Sequence, residues 1–127
     1  MTLEETLRGA AAWQQILEEN QFNDPAPPGT EFVLARFSGR WIADAEAANY
    51  IFDSYFTAVD AQGVEVEQGV VTLGKRELST EVYPGGRFEG WVAKLVPSGD
   101  AEARIVFKAT SSNLDPDGFD TRYFQIE

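Results

Sequence analysis

The stretch TEFVLARFSGRWIA, Thr30–Ala43, decides the fold. Val33, Ala35, Phe37 and Trp41 fall on one parity; Phe32, Leu34 and Ile42 share the other with Arg36, Ser38 and Arg40. A strand sends successive side chains to opposite faces, so this spacing predicts one long β-strand. Its core face is expected to be the parity of Val33, Ala35 and Phe37, because the other parity turns polar midway.

Working outward toward the N-terminus, Asn23-Asp24-Pro25-Ala26-Pro27-Pro28-Gly29 holds three prolines and a glycine, which preclude regular structure and give a stiff connector. Before it, AAAWQQILEEN (Ala10–Asn20) predicts a helix: three alanines favour it, and Trp13, Ile16, Leu17 and Asn20 fall on one stripe. Glu18 and Glu19 sit near its C-terminal end, where the helix dipole opposes acids. A helix this short is marginal in water, so it must be held by docking Trp13 and its stripe onto a sheet, at an end or an edge of it. Asn20 and Asn23 tolerate left-handed backbone and suit a turn, with Phe22 tucked back toward the helix. Thr2–Arg8 is expected to be a strand.

Outward toward the C-terminus, Asp44–Ala48 reads as a polar loop and Tyr50–Val59 as an aromatic-rich strand. Asp60–Gly63 is a turn leading into the alternation Val64-Glu65-Val66-Glu67, and Val70–Leu73 suggests another short strand. Pro84-Gly85 fits the central positions of a type II turn within Tyr83–Gly86, glycine supplying the positive φ. A strand over Arg87–Val96 follows, in which Gly90 marks a bulge or the close approach of another backbone. Pro97–Asp100 turns the chain into a strand over Ala103–Ala109. Ser111–Asp120 is a loop, and Thr121–Ile126 closes the chain. Seven or eight short strands separated by turns favour an all-β sandwich over a βαβ fold. At 127 residues, positions 1–127 make a single domain with room for a real core.

Twenty-one Asp and Glu against 10 Lys and Arg leave a formal charge of −11, which argues against a phosphate backbone or an anionic lipid surface as partner. The sequence contains no Cys and no His. Disulfides, thiol nucleophiles, imidazole bases and the usual zinc ligands are thereby excluded. No apolar run reaches transmembrane length, so no direct membrane insertion of the domain is expected.

Candidate chemistry is then confined to carboxylates, hydroxyls and oxygen-ligated metals. Glu65 and Glu67 point to the same side of one strand, which suits a solvated face above Val64 and Val66 better than the facing pair a glycosidase needs. The adjacent pairs Glu4–Glu5 and Glu18–Glu19 do not converge on one substrate. Asp115, Asp117 and Asp120, in DPDGFD, could supply part of a calcium shell, but the spacing is not that of an EF-hand and an ordinary turn explains it more simply. Tyr50, Phe52 and Phe56 would share one strand face and Ile51 and Tyr55 the other, as core residues or, if exposed together, as an aromatic binding surface. Ser54 and Ser79 stand in no nucleophile motif. No catalytic, cofactor-binding or metal-binding residue is therefore assigned, and no cofactor.

Three segments carry a family resemblance: AWQQILEENQFNDPAPPGTEFVLARF (Ala12–Phe37), VYPGGRFEGWVAKLVP (Val82–Pro97) and the C-terminal TRYFQIE. In this order they resemble a bacterial family of immunoglobulin-like lipoprotein or secreted domains of unknown function, similar to a secreted immunoprotective extracellular antigen. The resemblance implies an immunoglobulin-like antiparallel β-sandwich with one short N-terminal α-helix, exported to the cell surface behind a signal peptide or lipobox and a linker. MTLEETLRG has neither the basic n-region nor the apolar h-region of a leader, so the expectation is a chain trimmed of leader, linker and a first strand. The expected function is a non-catalytic exported or cell-surface module with a binding or structural role, not an enzyme. Its partner would be a protein or a cell-envelope component, and not a nucleic acid. The alternatives are a carboxylate-based hydrolase and a weak calcium-binding module.

Overall fold

The structure is a computed structural model that describes residues 2–40, 49–52, 55–69, 71–83, 85–108 and 121–126. Its elements in chain order are β1 (Thr2–Arg8), α1 (Ala10–Glu19), β2 (Thr30–Arg40), β3 (Asn49–Phe52), β4 (Phe56–Val59), a 3-10 turn (Gly74–Arg76), β5 (Ser79–Val82), β6 (Arg87–Pro97), β7 (Arg104–Lys108) and β8 (Thr121–Gln125). Every strand ladder is antiparallel. β1, β2 and β6 form one sheet, β4, β7 and β8 a second, and β3 pairs with β5. The β3–β5 pair is tied to β6 where Glu77 bridges Trp91 and the Leu78 N–H donates to the Trp91 carbonyl at 2.8 Å. The chain is thus an all-β sandwich with one short helix.

The core between the two sheets is built from Val33, Ala35 and Phe37 of β2 and Phe88, Val92 and Val96 of β6, against Phe56 and Ala58 of β4, Ile105 and Phe107 of β7, and Ile126. The predicted core parity of β2 is indeed buried here. Phe37 lies 4.7 Å from Phe56 and 4.8 Å from Phe124, ring centre to ring centre, so one aromatic cluster joins the sheets. Each such side chain contributes roughly 1.5–3 kcal/mol when fully buried.

Two expectations are corrected by the helix. α1 does not sit at an end or edge. It lies on the outer face of the β1–β2–β6 sheet, where Ala12 and Ile16 pack with Phe32 and Leu34 of β2, Ala93 and Leu95 of β6, and Leu73. Trp13 stacks on Phe32 with ring centres 5.7 Å apart and planes 13° from parallel. The first half of β2 is therefore buried on both faces, and the polar-turning parity also carries core residues. Ala12, not Leu17, completes the buried stripe with Ile16; Leu17 is partly exposed.

The connector after α1 is fastened by its asparagines through their side chains and not by left-handed backbone. Asn20 is extended at φ −157°, and its Oδ1 accepts from the Phe22 N–H at 2.9 Å. The Asn23 amide donates to the carbonyls of Ile16 and Thr72 and accepts from the Thr72 N–H, tying the helix end to the segment before the 3-10 turn. Phe22 does not tuck back; it is 83% exposed.

The predicted strand over Tyr50–Val59 is divided. β3 pairs with β5 and β4 pairs with β7, so Phe52 and Phe56 belong to different sheets. Asp60 turns the chain by accepting from the N–H groups of Gln62 and Val64; Glu65 bridges back to Val59, and the Val66 N–H donates to the Ala58 carbonyl at 2.8 Å. Of the expected alternation over Val64–Glu67, Glu65 and Glu67 are exposed and Val66 packs against the helix-side cluster, whereas Val64 is exposed instead of packed. Residues 71–73 are irregular instead of forming a strand. The Tyr83–Gly86 turn is as expected, with Gly85 at φ 85° and the Gly86 N–H donating to the Tyr83 carbonyl. The predicted parts Trp41–Ala48 and Ser111–Asp120 lie outside the described residues.

Candidate functional site

The outer face of the β1–β2–β6 sheet is divided along its length. Toward Thr30 it is covered by α1. Toward Arg40 no element among the described residues covers it, and the residues there are Glu4 and Glu5 of β1, Arg36, Ser38 and Arg40 of β2, and Arg87 and Glu89 of β6, with Trp91 at the border, packed against the helix-side cluster. Glu4, Arg36, Ser38, Arg40, Arg87 and Glu89 line a depression of about 620 Å³.

β2 and β6 keep an unbroken register over eleven pairs, including Arg36↔Trp91, Ser38↔Glu89 and Arg40↔Arg87. The Leu95 N–H and C=O both face away from β2, toward Gln68, and the Trp91 C=O faces Leu78. Alternation along the ladder then makes each second pair, from Phe32↔Leu95 to Arg40↔Arg87, one without mutual hydrogen bonds. Such pairs stand closest, about 4.5 Å between Cα atoms.

Arg36 is the organising charge of this face. It donates to Glu89 at 2.9 Å, lies 3.5 Å from Glu5 on the other neighbouring strand, and sits over the Trp91 ring at 6.0 Å. The hydrogen bond to Glu89, ahead of the charges of Glu89 and Glu5, pushes the guanidinium above its ordinary value. Ser38 donates to Glu4 at 2.6 Å. Arg40 and Arg87 differ from it: both are exposed, directly opposite each other, and neither has an ion pair or hydrogen bond among the described residues.

Elsewhere the charges tie parts of the fold together. Arg8 pairs with Glu31 at 2.7 Å and donates to the carbonyls of Pro97 and Asp100, and the Gly99 N–H donates to the same carboxylate. That backbone hydrogen bond, with Arg8 adding to it against the opposing effect of burial, holds Glu31 below the usual glutamate range. Glu19, placed where the helix dipole is unfavourable, pairs with Arg76 at 2.8 Å.

Among the described residues, those singled out from the sequence are not brought together at one site. Glu65 accepts from Thr57 at 3.0 Å and is exposed, as is Glu67. Glu4 and Glu5 both face the open half but are engaged by Ser38 and Arg36 respectively. Phe56 is core, and Tyr55 packs edge-on against Phe107. Asp115, Asp117, Asp120 and Ser54 lie outside the described residues. Among the described residues no group of three or more His, Cys, Asp or Glu is placed to hold a metal ion. No described helix is long and apolar enough to cross a membrane.

Sequence reasoning missed Arg87 and Glu89, although both fall on the parity of Trp91 within a recognised strand. It also missed Lys94, which is 4% exposed on the inner face of β6 opposite Val33. No family model, curated protein or solved structure matches the chain.

Proposed function

We propose that this chain is a non-catalytic, immunoglobulin-like module of the cell exterior that works by binding a protein or a cell-envelope component. Two features of the sequence support the reading: the resemblance carried by the segments Ala12–Phe37, Val82–Pro97 and TRYFQIE, and the lack of His and Cys. The observation that carries it is the open half of the outer sheet face. There Arg36 is fixed between two carboxylates and over a tryptophan, on two strands paired along their full length. Side chains held on rigid strands keep their geometry before a partner arrives, which lowers the entropy lost on binding.

Fractionation of cells expressing the full-length gene product tests location, with the protein expected in the envelope or the medium. Finding it in the cytosol would overturn export. Co-sedimentation of the purified chain with isolated envelopes tests binding, and Ser38→Trp, which puts a bulky ring at the centre of the open face, is expected to abolish it. Equal sedimentation of the two proteins would remove this face from the interaction.

A further inference from the structure

We propose that Arg40 and Arg87 form a clamp for a single oxyanion, a carboxylate or a phosphate group, at the open end of the outer sheet face. The proposal rests on reading that face as the binding surface and names what it takes hold of.

Like charges directly opposite in an antiparallel pair repel, and the repulsion is greatest in the close, non-hydrogen-bonded kind of pair. Arg40 and Arg87 occupy such a pair. A chain with twice as many acids as bases has ample means to neutralise them, and it does so at Arg8, Arg36 and Arg76, each paired with a glutamate. At Arg40 and Arg87 the described residues supply no such partner, and the two acids lining the same depression, Glu89 and Glu4, are engaged by Arg36 and Ser38 respectively. Two arginines thus stand at directly opposed strand positions, neither with an acidic partner among the described residues. Planar guanidinium groups match the oxygens of carboxylate and phosphate two at a time, so one oxyanion bridging the pair would relieve the repulsion and satisfy both forks.

Size and charge narrow the ligand. The depression beside the pair holds about 620 Å³, room for a small acid or a protruding acidic group. The net charge of −11 repels an extended polyanion as a whole. Screening limits that repulsion to about 8 Å at physiological ionic strength, and at contact distance the three arginines of the depression, Arg36, Arg40 and Arg87, outnumber its two carboxylates, Glu4 and Glu89. A compact group is accordingly favoured over nucleic acid or an anionic polymer.

The test is a titration of the purified ¹⁵N-labelled chain with inorganic phosphate, and separately with acetate, following the arginine Nε–H resonances. Saturable shifts are expected at Arg40 and Arg87, the stronger of the two titrations telling a phosphate site from a carboxylate site. Arg40→Gln and Arg87→Gln are each expected to weaken binding about tenfold, and Arg40→Lys, which keeps charge but loses the fork, to weaken it as well. Arg104→Gln, in the other sheet against Tyr123, is expected to leave binding unchanged. The clamp is overturned if neither anion gives a saturable shift at Arg40 and Arg87, or if Arg104→Gln weakens binding equally. An envelope protein silent to both anions refutes the clamp alone, whereas a cytosolic protein that binds them refutes export alone.

Discussion

Replacing Gly90 by alanine separates tertiary packing from local propensity, because the two predict opposite signs. Alanine narrows the unfolded ensemble relative to glycine, so where the native backbone accepts it the exchange stabilises by about 0.4–1 kcal/mol. Gly90 lies in β6 opposite Phe37, without a left-handed φ. A Cβ there, however, would stand 2.6 Å from the Leu78 Cα and 2.9 Å from its backbone nitrogen. Carbon atoms rest at about 3.5–4.0 Å, so the Leu78 backbone must retreat by about 1 Å. That same residue donates to the Trp91 carbonyl at 2.8 Å and is fully buried in the core between the sheets. Losing the hydrogen bond costs about 1 kcal/mol and overpacking a further 1–3, which outweighs the entropic gain. Gly90→Ala is expected to be destabilised by about 2–3 kcal/mol, a fall in melting temperature of roughly 10 °C for a domain of this size.

Thermal and urea unfolding followed by far-ultraviolet circular dichroism measure the change, with the slope against urea expected to stay constant. Because the clash is with backbone atoms, trimming Leu78 to alanine in the same chain should bring no rescue. Gly85→Ala is the control: nothing lies within 4 Å of its Cβ, but φ is +85°, so its cost is the left-handed backbone alone, about 1–2 kcal/mol. A Gly90→Ala variant melting at or above the parent would refute the reasoning that links β5 to β6 by close backbone approach.

Gln68→Ala should destabilise by about 1–3 kcal/mol, because the Gln68 amide satisfies both the N–H and C=O of Leu95; urea midpoints measure the loss, and light scattering during heating should rise as the β6 edge is uncovered. Trp13→Ala removes the stack on Phe32 and should cost about 2–4 kcal/mol, with helical signal lost before the sheet in a temperature scan. Glu31 has a folded-state pKa below the ordinary 4.5, so it contributes stability above that value and loses it as pH falls through the folded pKa. Glu31→Gln should therefore lower the urea midpoint at about pH 6, and its gap to the parent should narrow as the pH is taken progressively below 4.5; a gap that stays constant throughout would show no such linkage.

What the sequence disclosed and what it withheld follow from the range of the interactions. The strands β2 and β6, the turn at Tyr83–Gly86 and the close approach at Gly90 are written in local alternation and in residues with few backbone options, and each is where the spacing placed it. The division of Tyr50–Val59 between two sheets was not legible, since β-branched and aromatic residues suit either sheet and nothing local chooses the partner. The strand expected over Val70–Leu73, of which residues 71–73 are described, was misread for a related reason. Its valines look like strand residues, but the Thr72 backbone is bonded by the Asn23 side chain, and the segment meets β6 through the Gln68 side chain at the Leu95 backbone. A side-chain amide that stands in for a strand leaves no periodic trace.

The candidate site was half legible for the same reason, and its position is a consequence of helix length. Arg36, Ser38 and Arg40 were visibly polar on a parity that begins with Phe32 and Leu34, but their partners on β6 depend on register, which no local signal fixes. Ten helical residues span about 15 Å, whereas an eleven-residue strand spans roughly 36 Å. Even laid along the strand, α1 can cover less than half of the outer face. The change from apolar to polar after Leu34 is where that cover ends, and Arg36 is the first residue beyond it, anchored to Glu5 and Glu89 on both sides. Lengthening the helix would have to bury those charges, and burying unpaired arginines at positions 40 and 87 would cost more than the added apolar contact returns. The short helix and the exposed arginine pair are therefore one arrangement: the charged half of the sheet face begins where α1 ends.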